Sequence, residues 1–340
     1  MSDELDRYLW DGSGARDPEV ARLEQALGRY RYDAPLRPLP ATSRRRRPRR
    51  VLAFALAAAA LIACIAFLGS QRFRWQPGAA WAVEALSGAP QLDGRPLGEQ
   101  GRLGVGQELV TDAASRARIR VARIGVVEVE PNSRLRLLST TSDRHRIALE
   151  RGKIRARTWA PPFTFAVDTP SAQAFDLGCS FTLEVDQDGS GLLRVTTGWV
   201  QLEGEDWQTL VPQGAVAESR ISYEPGSPYY EDASPAFRAA LREINFGPEA
   251  GPAYQAALTT LLKEARKRDV ITLLNLLRRL PQEDRGRVFD RAAELAPPPP
   301  EVTRAAVVRG DRDVIDPWFH SLGLGDVKRW WIYWKDALVL

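Results

Sequence analysis

The chain has 340 residues, of which 44% are hydrophobic, and its formal net charge is +4 at pH 7. That length predicts two or three domains, and the hydrophobic content excludes a largely disordered chain. The sequence has two cysteines, one of which, Cys64, lies in an apolar run, so no intramolecular disulfide framework is expected.

Residues 1–43 are predicted to form a helical hairpin followed by a linker. Asp11-Gly12-Ser13-Gly14 separates two stretches with apolar residues at helical spacing, and Asp17-Pro18-Glu19 is typical of a helix start. Because so short a hairpin has too little core to be stable alone, we expect its apolar faces to bind another protein. A loosely ordered tail is the alternative. The candidate partner-binding residues are Leu5, Leu9, Trp10, Val20, Leu23, Leu27 and Tyr30.

A basic run at residues 44–50 precedes nineteen residues without a charge, from Val51 to Gly69. A helix of that length spans about 28 Å, which is close to the thickness of the hydrocarbon core of a bilayer. Residues 51–69 are therefore predicted to be a single transmembrane helix. Because positive charge beside such a helix stays in the cytoplasm, we expect a cytoplasmic N-terminus, with residues 70–340 on the periplasmic side of a bacterial inner membrane. The orienting residues are Arg44, Arg45, Arg46, Arg47, Arg49 and Arg50.

Three other interpretations of this segment remain open. A cleaved export signal fits poorly, because about fifty residues precede the apolar run. Leu61-Ile62-Ala63-Cys64 matches the bacterial lipoprotein pattern, in which the cysteine becomes the lipidated N-terminus. The arginines could form a nucleic-acid patch, but without these six residues the net charge of +4 becomes −2. We therefore expect no direct binding of nucleic acid.

Residues 80–221 show the alternation typical of β-strands. Ile119 and Val121 alternate with Arg118 and Arg120, and the same period of two returns after each group of turn residues. No helical pattern interrupts the series. This spacing predicts an all-β domain, either a β-solenoid or a sandwich.

The order of motifs in this region resembles the FecR domain of the ferric-citrate-regulator family of bacterial transmembrane signalling proteins. The similarity covers roughly residues 80–220 and is carried by PNSRL at 131–135, ERGK at 150–153, DLGCSF at 176–181 and VTTGWVQL at 195–202. The family usually has threonine where this chain has Cys179, and we expect a buried, inert thiol there. The residues matched to family motifs are Asn132, Ser133, Gly152, Gly178, Phe181, Gly198 and Gly214.

The resemblance implies a signalling role. Members of the family hold or escort a sigma factor of the extracytoplasmic-function type with an N-terminal cytoplasmic segment, cross the inner membrane once, and receive a signal in the outer domain. Residues 1–43, 51–69 and 80–221 of this chain stand in that order. The N-terminal hairpin has no histidine or cysteine, which excludes an anti-sigma domain of the zinc type.

Helical spacing returns beyond residues 222–235, which are expected to be a linker. DVITLLNLLRRL, from residue 269 to 280, is typical of a helix that is covered on several sides. Residues 236–340 are thus predicted to form an all-α helical array. Near its end, Trp331 and Trp334 are three positions apart, which is typical of packed core; docking to a partner or a membrane interface is the alternative.

The sequence shows no catalytic or metal-binding motif. Its two histidines, His145 and His320, fall in different domains, and neither is at metal-ligand spacing from a cysteine or a carboxylate. DQDGSG at 186–191 begins like a calcium loop but has Thr197 where that loop needs glutamate, so we interpret it as a hairpin turn. We expect no catalytic residue, metal or cofactor, and a protein that is not an enzyme.

Together these patterns predict a multidomain chain with a single transmembrane helix, an outer all-β FecR-like domain and a C-terminal all-α array. The predicted function is a signal transducer or anti-sigma-factor-like regulator that relays an envelope signal to a cytoplasmic sigma factor. An envelope protein or polymer is the expected partner on the outer side. The alternative is a membrane-anchored scaffold or binding protein without a sigma-factor partner.

Overall fold

The structure, a computed structural model, describes residues 18–30, 76–311 and 313–323. The chain divides into two compact units, Met1–Ile65 and Ala66–Leu340.

In the first unit, the described residues form helix α1 (Pro18–Leu27) and a 3-10 turn (Gly28–Tyr30) that follows it. Pro18 occupies the start of the helix, where the N–H that proline lacks would have no partner within the helix. Glu19 lies in the first turn, where its negative charge complements the helix dipole. Pro18 and Glu19, which the sequence marked as part of a helix start, therefore stabilise the first turn of α1.

The second unit begins with a β module. Within the described residues, seventeen strands join into one sheet. Neighbouring strands are mostly antiparallel, whereas β9 and β10 are parallel. The strands are β1 (Trp81–Ser87), β2 (Gln91–Leu92), β3 (Arg95–Pro96), β4 (Gln100–Leu103), β5 (Glu108–Val110), β6 (Arg116–Val121), β7 (Gly125–Val129), β8 (Arg134–Thr140), β9 (His145–Thr158), β10 (Phe165–Asp168), β11 (Gln173–Asp176), β12 (Ser180–Val185), β13 (Gly191–Thr197), β14 (Trp199–Glu203), β15 (Gln208–Pro212), β16 (Ala215–Ser219) and β17 (Tyr229–Tyr230).

Strand β9 organises the sheet because its two parts pair with different neighbours. The part from His145 to Arg151 pairs with β8 and β10, whereas the part from Gly152 to Thr158 pairs with β7 and β12. The sheet therefore curls over itself along β9. We call its two parts the β6 side (β1, β4, β6, β7, β12, β13, β16 and β17) and the β8 side (β2, β3, β5, β8, β10, β11, β14 and β15).

Side chains that point inward from both sides form one hydrophobic core. In β6, for example, Ala117, Ile119 and Val121 are buried and alternate with arginines, as the period of two predicts. Burying a large apolar side chain contributes about 1.5–3 kcal/mol, so this shared core is the main stabilising element of the module. Its largest fully buried members are Trp81, Phe165, Phe181, Leu103, Leu109, Ile119, Leu135, Leu137, Ile147 and Leu149.

The fold class predicted from the sequence needs correction in two respects. Among the residues described, no helix is long and apolar enough to cross a membrane. The predicted transmembrane helix at 51–69 and the basic stop at 44–50 lie outside those residues, so the single transmembrane helix is not supported. The β module is neither a solenoid nor a sandwich of two separate sheets, because hydrogen bonding continues through β9 and produces one curled sheet in the form of a half-barrel.

The sequence suggested residues 222–235 as a linker, but residues 225–229 within that segment are buried between the β module and the helices. Strand β17 lies in this segment and pairs with β16. Arg279 donates a hydrogen bond from Nη1 to the carbonyl oxygen of Pro225 at 2.9 Å, and Thr272 donates from Oγ1 to that of Pro228 at 2.6 Å. Buried carbonyl groups of the segment are thereby satisfied by the helical module.

The helical module completes the second unit. Helix α2 begins at Ser234, whose hydroxyl accepts a hydrogen bond from the backbone N–H of Phe237 and so caps the helix. Trp318 is fully buried and donates its indole N–H to the carbonyl oxygen of Ala296 at 3.1 Å. Trp330, Trp331 and Trp334 lie outside the described residues. The helices are α2 (Pro235–Phe246), α3 (Pro252–Glu264), α4 (Val270–Arg279), α5 (Gln282–Leu295), α6 (Arg304–Arg309) and α7 (Asp316–Ser321).

We predict that Thr272→Val destabilises the second unit, because the substitution keeps the shape of the side chain but leaves the buried carbonyl oxygen of Pro228 without a donor. The expected loss of unfolding free energy is about 1–3 kcal/mol, measured by urea denaturation. Thr260→Val is the matched control, since the hydroxyl of Thr260 bonds only within its own helix, to Ala256. Equal effects of the two substitutions would contradict a tight junction at this segment.

Candidate functional site

Helix α1 carries part of the predicted partner-binding set. Val20, Leu23, Leu27 and Tyr30 are three or four positions apart, so they share one helical face. Leu23 is 60%, Leu27 61% and Tyr30 73% exposed, and α1 buries none of its residues. An exposed apolar helix face of this kind is suited to binding in a hydrophobic groove of a partner protein.

Several predicted residues lie outside the residues that the structure describes, and their roles stay predictions. They are the partner-binding residues Leu5, Leu9 and Trp10 and the orienting residues Arg44, Arg45, Arg46, Arg47, Arg49 and Arg50.

The turn between β7 and β8 is locked against the bend in β9. Asn132 adopts a left-handed conformation with φ of 59°, which asparagine tolerates better than most residues. The hydroxyl oxygen of the next residue, Ser133, accepts a hydrogen bond from the backbone N–H of Lys153 at 2.9 Å. A Cβ atom on Gly152 would lie 2.3 Å from that oxygen, and Gly152 has φ of +93°. Only glycine fits this bend without a shift of the backbone.

The remaining family-motif residues also close turns or fill the core. A Cβ atom on Gly198 would lie 2.9 Å from the carbonyl oxygen of Gly178, so these two glycines let neighbouring turns touch. Phe181 is buried. The backbone N–H of Gly214 donates to the carbonyl oxygen of Val195 at 2.8 Å. The motif residues are thus explained by the fold and do not form a reactive cluster.

A buried carboxylate links the two sides of the sheet at the end opposite to Gly152. Asp176 is fully buried. It accepts hydrogen bonds from the hydroxyl of Thr158, the backbone N–H of Cys179 and the thiol of Cys179. Burial raises the pKa of Asp176 to about 6, although these hydrogen bonds oppose the rise. Burial, together with the charge of Asp176, raises the pKa of the Cys179 thiol well above its usual value, which makes the thiol inert.

Sequence reasoning noted Cys179 but missed its partner Asp176. Nothing in the sequence around Asp176 marks it as buried, because the alternation of β11 alone cannot show that the residue meets Thr158 from another strand. The departure from the family at Cys179 was the available signal, since a changed side chain in a motif requires a neighbour that accommodates it.

An open cleft of about 660 Å³ lies where the Asn132 turn meets the Gly152 bend. Arg151, Asp112 and Asp186 contribute charged groups to its lining. Hydrogen bonds from Ser115 and Ala114 lower the pKa of Asp112, so this carboxylate stays ionised. With two carboxylates and one arginine, the charged groups of the lining are net negative, so the cleft disfavours anions.

Both histidines are in contact with neighbouring groups of the fold. Burial lowers the pKa of His145 to about 4, and its ring lies at the edge of Trp81, with 5.9 Å between the ring centroids. The Nδ1 atom of His320 lies 2.6 Å from the carbonyl oxygen of Asp316. In the part of the chain that the structure describes, no group of three histidine, cysteine, aspartate or glutamate residues could hold a metal ion.

We predict that Gly152→Ala lowers the free energy of unfolding by about 3 kcal/mol or more, because strain at positive φ adds to a clash with Ser133. Gly94→Ala is the matched control: its φ is +75°, and no atom lies within 4 Å of the added Cβ. We expect the control to cost about 1 kcal/mol. If both variants unfold at the same urea concentration, the close contact between the turn and the bend does not contribute to the free energy of unfolding.

We predict that Asp176→Asn removes a pH dependence of stability. The folded-state pKa of about 6 lies above the ordinary value of 3.8, so between those values the folded chain binds more protons than the unfolded chain. Stability from this residue is therefore present below about pH 4 and is lost as the pH rises to about 6, by about 3 kcal/mol.

The measurement is the difference in unfolding free energy between the unmodified protein and the Asp176→Asn variant, taken at pH 4.5 and again at pH 7. Other groups titrate in both proteins and cancel from this difference. A difference that stays constant with pH would show that Asp176 has an ordinary pKa.

Comparisons with known proteins match part of this chain. No curated protein matches the chain. Two crystal structures of a proposed anti-sigma factor from Parabacteroides distasonis are similar, each with 22% identity and a TM-score of 0.32. The alignments cover 39% of this chain and 63% and 62% of those chains, respectively. The family described as FecR protein matches residues 107–201, which confirms the resemblance predicted from the sequence and identifies this part of the chain as a FecR domain.

Proposed function

We propose that this protein is a non-enzymatic, FecR-type regulator that binds a sigma factor through the apolar face of α1 and responds to a signal received by its second unit. The observation that carries this proposal is the FecR family match over residues 107–201. That match supports a signal transducer or anti-sigma regulator as the general class; the sigma-factor partner and the relay are the specific parts of the proposal.

The exposed face of α1 supports the choice of binding site. Leu23 and Leu27 lie one helical turn apart and are each about three-fifths exposed. A short helix gains little stability from its own hydrogen bonds, so an apolar face that is not buried favours association with another protein. A groove that covers Leu23, Leu27 and Tyr30 would supply the burial that α1 lacks.

The construction of the second unit supports a role in receiving a signal. Arg242 forms two hydrogen bonds to Glu218, at 3.0 and 2.7 Å, and so joins helix α2 to strand β16. Arg266 and Arg268 both bond to Asp232 beside β17. Because the modules are tied together at several points, a ligand that favours one arrangement of either module changes the other as well.

The chemistry of the described residues supports binding rather than catalysis. Asp176 and Cys179 have strongly displaced pKa values, but both are closed off from solvent. A substrate could not reach them without opening the core. Asp112, in the lining of the cleft beside Gly152, is exposed, and its carboxylate accepts a hydrogen bond from the backbone N–H of Ala114.

The location of the protein in the cell stays a prediction. The sequence predicts the bacterial inner membrane, with residues 70–340 in the periplasm, and fractionation of cells that express the full chain would test it. The proposed binding of a sigma factor requires that α1 lies in the cytoplasm, where sigma factors act.

We predict that the double substitution Leu23→Glu and Leu27→Glu abolishes recovery of a sigma factor with the full-length protein. Two buried leucines contribute about 3–6 kcal/mol, so their replacement by charged residues should weaken binding at least a hundredfold. The measurement is affinity purification from the native host, with sigma factors quantified by mass spectrometry, together with transcription of the genes that the recovered factor controls.

The matched control is the double substitution Arg22→Gln and Gln25→Glu. It changes the net charge by the same amount in the same helix, but on the face opposite to Leu23 and Leu27. We expect this control to behave as the unmodified protein does. If the unmodified protein recovers no sigma factor and its deletion leaves transcription unchanged, the regulator proposal fails and a scaffold without a sigma-factor partner replaces it.

A further inference from the structure

Charged side chains cross the outer face of the β6 side in rows, and most of them are paired. Arg118 lies 2.9 Å from Glu128, and Arg155 lies 2.9 Å from Glu130. Arg116 also reaches Glu130, at 3.0 Å. This part of the face is nearly neutral, because each cation has a carboxylate beside it.

A second row, closer to the Trp159 end of the sheet, is cationic. It contains Arg102, Arg120 and Arg157, which are all exposed; we call it the arginine row. The strand register places Arg102 and Arg120 on either side of Ala82, and Arg120 and Arg157 on either side of Val126. Successive arginines are therefore about 10 Å apart at their Cα atoms. Among the described residues, none of the three has a carboxylate within 4.0 Å.

The row continues without an acidic residue. Ser180 pairs with Arg157 across the sheet, and Thr197 pairs with Ser180. These positions add hydroxyl groups, which both donate and accept hydrogen bonds, beyond the last arginine. The whole row thus offers cations, small apolar residues and hydroxyls in one line.

An aromatic ring lies beside this row, just after the end of strand β9. Trp159 is two positions after Arg157 and is 54% exposed. Its indole N–H donates to the carbonyl oxygen of Arg123 at 3.1 Å, which fixes the edge of the ring. The part of Trp159 that remains exposed is therefore mainly apolar ring surface, held in one orientation.

We propose that the arginine row and Trp159 form a binding surface for a linear anionic polysaccharide. The arginines would bind carboxylate or sulfate groups along the polymer through charge-assisted hydrogen bonds. The C–H face of a sugar ring would pack on the exposed ring of Trp159. Ala82 and Val126 leave room between the arginines for the sugar units that separate the charges. This inference extends the proposed function by naming a chemical class of ligand for the second unit.

The observations favour a polysaccharide over other polyanions. Single-stranded nucleic acid is held mainly by a series of stacked bases, which needs aromatic platforms along the whole site. The row itself contains no aromatic residue, and Trp159 lies beside it. An acidic peptide would use the arginines but gains nothing specific from a fixed, flat indole. An anionic polysaccharide uses both features, because its charged groups bind the arginines and the C–H faces of its sugar rings pack on Trp159.

The test uses the full-length protein in a non-ionic detergent, with the six arginines of residues 44–50 replaced by serine so that this basic run does not bind the probes. Alginate, a soluble polyuronate, is titrated and its affinity measured by calorimetry; dextran, poly-L-glutamate and a single-stranded DNA oligonucleotide are the comparison probes. We expect alginate to bind, dextran not to bind, and the other two polyanions to bind at least about tenfold more weakly. Binding should weaken as salt is added.

Two variants and one control test the surface itself. The triple substitution Arg102→Gln, Arg120→Gln and Arg157→Gln should weaken alginate binding at least about tenfold, and Trp159→Ala about fivefold. The control, Arg238→Gln with Lys263→Gln and Lys267→Gln, removes the same charge from helices α2 and α3 and the turn before α4 and should leave affinity unchanged. Thermal unfolding followed by circular dichroism checks that each variant folds.

Three results would overturn the proposal. The first is that alginate fails to bind the folded protein. The second is that the control triple weakens binding as much as the row triple does, which would show that general charge is responsible. The third is that poly-L-glutamate or the oligonucleotide binds as tightly as alginate, which would assign the surface to a different polyanion.

Discussion

The β module depends on the bend of β9 at Gly152 against Ser133. Because glycine at positive φ lets the strand turn there, one half of β9 can pair on the β8 side and the other half on the β6 side. The core then fills from both sides at once. At the other end of the sheet, the contact of Asp176 with Thr158 joins the same two sides through a polar link. The family-motif residues are therefore positions at which the chain must turn or meet itself closely, which explains their pattern without assigning them a ligand.

The hydrophobic core and the buried carboxylate of Asp176 have opposite energetic character. The core gains stability by removing apolar surface from water, whereas Asp176 loses solvation on burial, as its raised pKa shows. A carboxylate that is held in this way fixes which strands meet, because the hydroxyl of Thr158 and the N–H of Cys179 are correct partners only in one register. The exposed arginines of the outer face, in contrast, contribute little to stability where they are paired and are available for binding where they are not.

Much of the β module could be predicted from the sequence, and the reasons are local. The alternation of Ile119 and Val121 with arginines gives the strand and its inward face directly, and Asn132 and Gly152 indicate turns. The curl of the sheet could not be predicted, since it depends on which strands pair with each half of β9. The sequence of residues 222–235 suggested a linker, but the carbonyl oxygens of Pro225 and Pro228 accept hydrogen bonds from side chains of a helix that is distant in sequence. The exposed leucines of α1 followed from helical spacing, whereas the arginine row appears only when strands are placed side by side.

The packed segment around β17 has a consequence for how this protein can be divided or recombined. Val216 and Tyr229 belong to the same hydrophobic cluster as the helices, and Leu192 and Trp199 pack against that cluster. A cut near residue 222 would therefore remove β17 from its place beside β16. It would also expose hydrophobic surface on both fragments, and each fragment would be prone to aggregate. The same restriction applies in evolution, because the strands and helices on either side of β17 have to be inherited, exchanged and degraded together.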